Sequence, residues 1–496
     1  MKIKLLLVFS AVATLAQPQG WQQTFGSASN DIGNTVLQTS DGGYLGLGTT
    51  GTNMTSGTSG LLNGSGANYL VKTDSYGNLQ WSKSWGWFHI LDGPHSNPKG
   101  MGNINCTLRQ TADGGFIIAG TDTSLLNCWN CYLLVKLDQN GDTVWTKTYP
   151  HNSSATTGDA GSYEVVQESG GGYVMIGRHL QNGNSDRIGA IRTDANGNEL
   201  LRKDIYSATG NTVRPIGLEP LKNNRYVVAA VDTGGAILMK LNSAFDTTWT
   251  RKYKVGFFQD FDQTIDSGFI LVGRSYINNY TAFAISIIKV NSNGDTLWTR
   301  QYADSSIDVT SVKQVSDGGY ILTGSFYGTD AFGGPTTDTQ LLLLKLDASG
   351  NKLWKKKYGG SAEDWGNSVR QTNDGGFILT GTTNSFGAGD YDLYLIKTDS
   401  LGNAPKMATA ILHPTGAKNE IEVFPNPSNG FFNIRSGTGI FQVEITDLVG
   451  KTTLRAINDS PLTTWTIDLR QQPKGVYFYK VLLVGEKSSA GKIIIE

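Results

Sequence analysis

Short apolar runs alternate with polar, glycine-bearing turns from about residue 20 to residue 403, and the runs recur in a fixed order. An aromatic after a Gly-rich turn opens a run that ends four residues later in a small residue: Tyr44 to Gly48, Phe116 to Gly120, Tyr173 to Gly177, Tyr226 to Ala230, Phe269 to Gly273, Tyr320 to Gly324 and Phe377 to Gly381. A second run closes on a cation, at Lys72, Lys136, Arg192, Lys240, Lys289, Lys345 and Lys397. Nine residues after the first six of these stands Trp81, Trp145, Leu201, Trp249, Trp298 or Trp354. Runs rich in Val, Ile, Thr and aromatics, bounded by Gly, Asp and Asn, are strand signals.

The best-preserved unit, Trp354 to Lys397, contains four such strands: D (Trp354 to Tyr358), A (Asn367 to Thr372), B (Phe377 to Gly381) and C (Leu393 to Lys397). Four strands repeated at a pitch of about 55 residues predict an all-β, seven-bladed β-propeller. The seventh copy lacks its D strand, since position 405 is Pro and 406 is Lys. Trp21-Gln-Gln-Thr-Phe25 matches Trp354-Lys-Lys-Lys-Tyr358 and precedes the first repeat, so it is expected to complete the last blade. Closure of this kind removes two open sheet edges.

Other spacings divide the ring into two faces. A Gln stands six residues before the aromatic at Gln38, Gln110, Gln167, Gln263, Gln314 and Gln371, with Pro220 as the exception. Between C and D the turn has constant length, as in Asp74 to Asn78, with Gly supplying positive φ. From B to the cation of C, by contrast, the count runs from 10 (Ala230 to Lys240) to 24 (Gly48 to Lys72). Strands alternate in direction, so the constant A–B and C–D turns share one face and the variable B–C and D–A loops the other. Function is expected on the variable face.

Composition agrees with an extracellular, turn-rich β protein. Gly contributes 62 of 496 residues and charged residues 17%, against typical values of about 7% and about 25%. The net charge of −1 gives no electrostatic case for nucleic acid or an anionic membrane. Lys355 to Lys357 read as the solvated, pairing-resistant face of an outer strand. Residues 1–16, with Lys2, Lys4 and an apolar core from Leu5 to Ala16, read as a secretory signal peptide cut before Gln17. No stretch is expected to span a bilayer.

Candidate site residues gather near blades 1 and 2. Trp87, Phe88, His89 and His95 lie in one long loop and Trp129 in another. They offer an aromatic platform for a glycan or surface protein, or else pack the loops onto the ring. Cys106 starts strand A of blade 2, Cys128 lies in its B–C loop and Cys131 starts strand C. Two strand spacings of about 5 Å separate A from C, more than a disulfide spans, so Cys106 with Cys128 is the expected pair. A C-x-x-C redox site lacks its βαβ context, and no His at ligand spacing supports zinc. No metal, cofactor or catalytic residue is assigned. Asp92, Asp159, Glu363 and Asp364 look like ordinary loop acids, and five His do not suit a His-based metal or radical-copper centre.

The propeller is placed at 17–405 and a linker at 406–419. Residues 420–496 alternate apolar runs with Asn-Gly, Val-Gly-Lys and Pro-Lys-Gly turns, which predicts an Ig-like antiparallel β-sandwich of about seven strands. This unit resembles the type A sorting domain of type IX secretion system cargo. The resemblance rests on Phe424-Pro425-Asn426-Pro427-Ser-Asn-Gly430, on Ile445 to Gly450 and Lys451, on Pro473-Lys-Gly475-Val-Tyr477, and on the end Gly491 to Glu496. It implies a translocon partner, export to the outer surface, and removal of the domain there with release or attachment to lipopolysaccharide. The repeat region resembles seven-bladed cargo of that system. It departs from the sialidase Asp-box, because two residues rather than one separate Asp74 from Gly77. The expected role is a secreted or surface binding and adhesion module. A structural surface-layer protein and a polysaccharide-active or quinone-type propeller enzyme are the alternatives.

Overall fold

A computed structural model describes residues 20–52, 67–85, 107–122, 131–150, 161–181, 185–209, 213–277, 282–302, 307–329, 335–405, 421–447, 451–483 and 488–496. The chain divides into two compact units between Met407 and Ala408. Among the described residues the first unit is seven antiparallel sheets of four strands each, with no helix. In blade 6 these are Ile307–Gln314, Tyr320–Thr329, Pro335–Leu346 and Lys352–Tyr358, lettered A to D from the axis outward. Blade 7 is built from Asp364–Gln371, Phe377–Thr383, Asp392–Thr398 and, as its D strand, Trp21–Phe25. The register runs from Trp21 opposite Lys397 to Phe25 opposite Leu393, so the ring closes as the sequence predicts.

Each recurring residue has a mechanical reason. In five blades the closing lysine of strand C is buried and lies 2.8 Å from the Asp of the A–B turn: Lys72–Asp41, Lys136–Asp113, Lys289–Asp266, Lys345–Asp317 and Lys397–Asp374. Blade 3 uses Arg192 and Glu168 instead, at 3.0 Å. Blade 4 has Asn223 and Asn224 at positive φ in that turn, and Lys240 donates to Ser292 O at 3.4 Å. The strand A glutamines tie one blade to the turn of the blade before. Gln110 accepts from Ser40 N, Gln167 from Ala112 N, Gln314 from Ile265 N, Gln371 from Ser316 N and Gln38 from Asn373 N.

The D-strand tryptophans serve the blade that follows. Trp21 meets Tyr44, Trp145 meets Tyr173 and Trp298 meets Tyr320 edge-on, with ring centroids 5.6–6.1 Å apart. Each indole also covers the turn glycine of the next blade, so that a Cβ on Gly77 would lie 2.6 Å from Trp21, and one on Gly141 2.6 Å from Trp81. Blade 3 departs from this rule together with blade 4. Leu201 replaces the Trp, and the next turn carries Phe245 at φ 61° where the others carry Gly. Phe245 is buried and packs in the cluster that Leu201 borders.

Lysines 355 and 357 are exposed as expected and stand over the Phe326 ring at 4.8 and 3.0 Å, while Lys356 donates to Asn403 Oδ1 at 3.0 Å. In the second unit five strands are described: Ile421–Phe424, Phe431–Thr446, Thr452–Asp468, Gly475–Leu483 and Ser488–Ile495. The second and third are long and break register between Arg435 and Gln442. Residues 431–436 pair with 421–424 and 464–468, whereas 440–446 pair with 452–457 and 478–483. Counted as two segments each, they give the seven strands of a sandwich around Phe432, Ile434, Val443, Ile445, Tyr479 and Val481.

Candidate functional site

The inner strands carry a feature that periodicity alone does not show. In six blades the A–B register skips one residue at the same place, so that Asn34, Tyr163, Ile216, Gln259, Thr310 and Asn367 are each the extra residue of a β-bulge. The bulge turns the chain so that successive residues face the axis. It also drives an inner-strand carbonyl toward strand B: a Cβ on Gly48 would lie 1.8 Å from Ile32 O, and one on Gly381 1.8 Å from Trp365 O. This is why strand B ends in a small residue.

The result is a polar channel of about 110 Å³, lined by Asn34, Arg109, Glu164, Glu219, Asp260, Lys313 and Arg370 among others. Arg109 Nη2 lies 3.0 Å from Glu164 Oε1 and 3.6 Å from Glu219 Oε1. Lys313 Nζ lies 3.1 Å from Asp260 Oδ2 and 3.6 Å from Asp262 Oδ1. Burial raises the Glu164 carboxyl and pushes Asp262 up to about 6, although the neighbouring cations oppose both. Burial disfavours the charge on Lys313, but Asp260 and Asp262 outweigh it and raise that ammonium. Arg370 donates Nε to Val36 O at 3.1 Å, and its guanidinium is lowered by burial and by the charge of Arg109. Asn34 is 6% exposed, with both amide atoms unpartnered among the described residues.

Sequence reasoning missed this channel, yet a signal was present. The position seven before each aromatic reads Leu37, Arg109, Val166, Glu219, Asp262, Lys313 and Arg370, five of them charged on an interior strand. Charges recurring where a core strand should be apolar mark an axial lining.

The sequence-selected residues fare differently. Trp87, Phe88, His89, His95, Trp129, Cys106, Cys128, Asp92 and Asp159 lie outside the described residues. Cys131 is disulfide-bonded. With three cysteines in the chain, this corrects the expected Cys106–Cys128 pair, because the bonded sulfur belongs to the cysteine that the strand-spacing argument had left free. Asp364 is a structural acceptor, fully buried and bonded to Ser385 Oγ (2.7 Å), Gly360 N (3.0 Å) and Thr383 Oγ1. Glu363 accepts from Tyr391, whose ring stacks on Trp365 at 5.2 Å. Two further clusters were not foreseen. Asp31 and Asp392 converge on Gly26, where a Cβ would lie 2.5 and 2.1 Å from their carboxylate oxygens. Burial first, then Asp31, pushes Asp392 up to about 6. His179 joins Tyr132 (3.1 Å) to Asp204 (3.1 Å) and is held below its ordinary value, chiefly by burial.

In the second unit the Phe-Pro-Asn-Pro segment locks the last strand. The peptides before Pro425 and Pro427 are cis. Between them the Asn426 side chain donates to Lys492 O (2.8 Å) and accepts from Ile494 N (2.9 Å), while Ser428 exchanges backbone bonds with Ile494 and Glu496. Phe424 lies 4.7 Å under Arg435. Gly430 has φ 93° and leaves no room for a Cβ, which would meet the Arg470 backbone at 2.9 Å. Tyr477 donates to Pro473 O at 2.7 Å, Gly475 has φ 151° and Lys451 N bonds Asp447 Oδ1 at 2.9 Å. Gly450 lies outside the described residues. The family model for the secretion system C-terminal sorting domain matches residues 422–496. This unit is a type IX sorting domain. The sorting domain therefore marks the chain for export by that system.

No curated protein matches the chain. Among the solved structures to which the chain is similar are three at low identity. The Dos1 propeller is 9% identical with a TM-score of 0.45, covering 77% of this chain and 95% of that one. A fungal alcohol oxidase of the AA5 family in complex with copper is 12% identical with a TM-score of 0.41, covering 96% and 98%. YCF48 bound to D1 peptide is 10% identical with a TM-score of 0.40, covering 78% and 98%. Likenesses at this level carry no argument about activity or ligand.

Proposed function

We propose that the protein is type IX cargo whose propeller serves outside the outer membrane as a binding or adhesion module, acting through its variable face. In this reading residues 1–16 are a signal peptide that delivers the chain to the periplasm, and the sorting domain then hands the folded ring to the translocon. The observation that carries the binding role is the asymmetry of the ring. Glutamine ties, lysine–aspartate turns and Trp-covered glycines hold one face to a constant form, whereas every connection of variable length begins and ends on the other. A rigid scaffold with variation confined to one side is the arrangement of recognition surfaces. Trp87, Phe88, His89, His95 and Trp129 are the side chains we assign to that surface, with a glycan or surface protein as partner.

The channel does not favour a polysaccharide-active enzyme. Its volume of about 110 Å³ is below the ~300–1,000 Å³ of ordinary small-molecule sites. Two of its three carboxylates, Glu164 and Asp260, are committed to Arg109 and Lys313.

Glycan-array binding by the exported protein, beside a Trp87→Ala/His89→Ala variant, tests the reading. Binding lost in the variant supports it; equal binding by both, or by neither, removes these loops as the site. Export is tested separately by deleting residues 420–496, and unchanged appearance of the propeller outside the cell would sink the sorting role.

A further inference from the structure

The axial channel offers more hydrogen-bonding capacity than the protein's own groups use. Arg370 is fixed through Nε on Val36 O. Among the described residues its two Nη atoms have no hydrogen-bond or ion-pair partner, although Asp262, Glu164 and Glu219 act on it at longer range. Glu219, 20% exposed at the side chain, makes a 3.6 Å ion pair with Arg109 and no side-chain hydrogen bond among the described residues. Asn34, two residues before Val36, presents a buried carboxamide with neither end bonded. Buried polar groups are normally satisfied by protein, water or a ligand, and all three residues line the same cavity.

Charge and size narrow what would satisfy them. The channel is lined by three cations, Arg109, Lys313 and Arg370, and three carboxylates, Glu164, Glu219 and Asp260. The charges of the lining balance, so a bare anion or a bare cation would leave one net charge buried, and a bare cation would also leave the Arg370 fork empty. A molecule carrying both charges meets both needs, since a guanidinium fork accepts a carboxylate in bidentate fashion. The cavity of about 110 Å³ lies well below the ~300–1,000 Å³ of drug-sized sites, which favours a small occupant.

We infer that the channel binds a small zwitterion of the α-amino-acid class, its carboxylate on the Arg370 guanidinium and the Asn34 amide, its ammonium on Glu219. The site lies on the ring axis and is independent of the loops assigned to surface recognition. Calorimetric titration of the full-length protein with glycine and L-alanine tests it, with acetate, methylammonium and L-phenylalanine as half-ligand and oversize controls. Saturable one-site binding is expected for glycine and alanine, at least tenfold weaker for each control, and at least tenfold weaker in Arg370→Gln and Glu219→Gln. A third variant, Asn34→Ala, removes only the unpartnered amide and is expected to weaken glycine several-fold even if the charge variants fail to fold. The inference is overturned by absence of saturable glycine binding, by acetate binding as tightly as glycine, or by glycine affinity unchanged in every folded variant.

Discussion

The small residue that ends each B strand is set by one carbonyl oxygen. A methyl group on Gly381 would stand 1.8 Å from Trp365 O, so Gly381→Ala must displace the bulged inner strand. The expected cost is about 1–3 kcal/mol, the range of an overpacked core, read as a lower midpoint in urea at unchanged slope. Two buried titrating groups make opposite predictions with pH. Asp392 in the folded protein titrates at about 6, above its ordinary 3.8, so its contribution is complete below about 4 and is lost as pH rises through about 6. Asp392→Asn, which removes the charge that Asp31 and burial oppose, should therefore melt above wild type at pH 7.5. The gain should reach at most about 3 kcal/mol and vanish below about pH 4. His179 is held below 6.5, so its neutral form is favoured on folding and stability falls as pH drops below about 6.5. His179→Phe should flatten that acid limb of a melting-temperature profile. The glycines and the histidine were visible as letters, but the contacts that give them meaning come from the bulge and from strands of neighbouring blades.

Between elements, the departures from the repeat explain one another. Blade 3 gives up its tryptophan for Leu201, and blade 4 fills the space with Phe245 in a backbone conformation that the other turns reserve for Gly. Leu201→Trp alone should overpack the cluster by about 1–3 kcal/mol. Phe245→Gly alone should open a cavity worth about 3–5 kcal/mol. The double variant recreates the pairing of Trp298 with Gly350 and should return to within about 1 kcal/mol of wild type, a coupling measurable in a double-mutant cycle. Strand type and order were legible because the repeats average out local ambiguity: Phe377 and Lys397 lie in the strands read for them, whose ends shift by at most two residues. The disulfide was not legible, since strand spacing constrains residues within a sheet and says little about those where the chain leaves it. The channel was half legible, as charge at a fixed position on the inner strands, but the bulge that turns Asn34 and its counterparts inward leaves no mark in hydropathy.

At the scale of the whole molecule, closure rests on five residues. Trp21 is buried against Tyr44 and covers Gly77, so Trp21→Ala should cost about 3–5 kcal/mol and release the outer edge of Asp392–Thr398. Differential scanning calorimetry would show this as a lower transition. The seven-fold count, the borrowed strand and the sorting domain were all readable from sequence because each depends on order along the chain. The strand that completes the ring is also the first of the fold to be synthesised. Gln22 and Tyr394, which bond across the seam, are 372 residues apart, and contacts of such separation form slowly because so much chain entropy is lost before they are made. The opening segment must wait through the making of every blade. Pairing of Trp21–Phe25 with Asp392–Thr398 is then expected late in folding, and a molecule halted before it would present one bare edge to its neighbours.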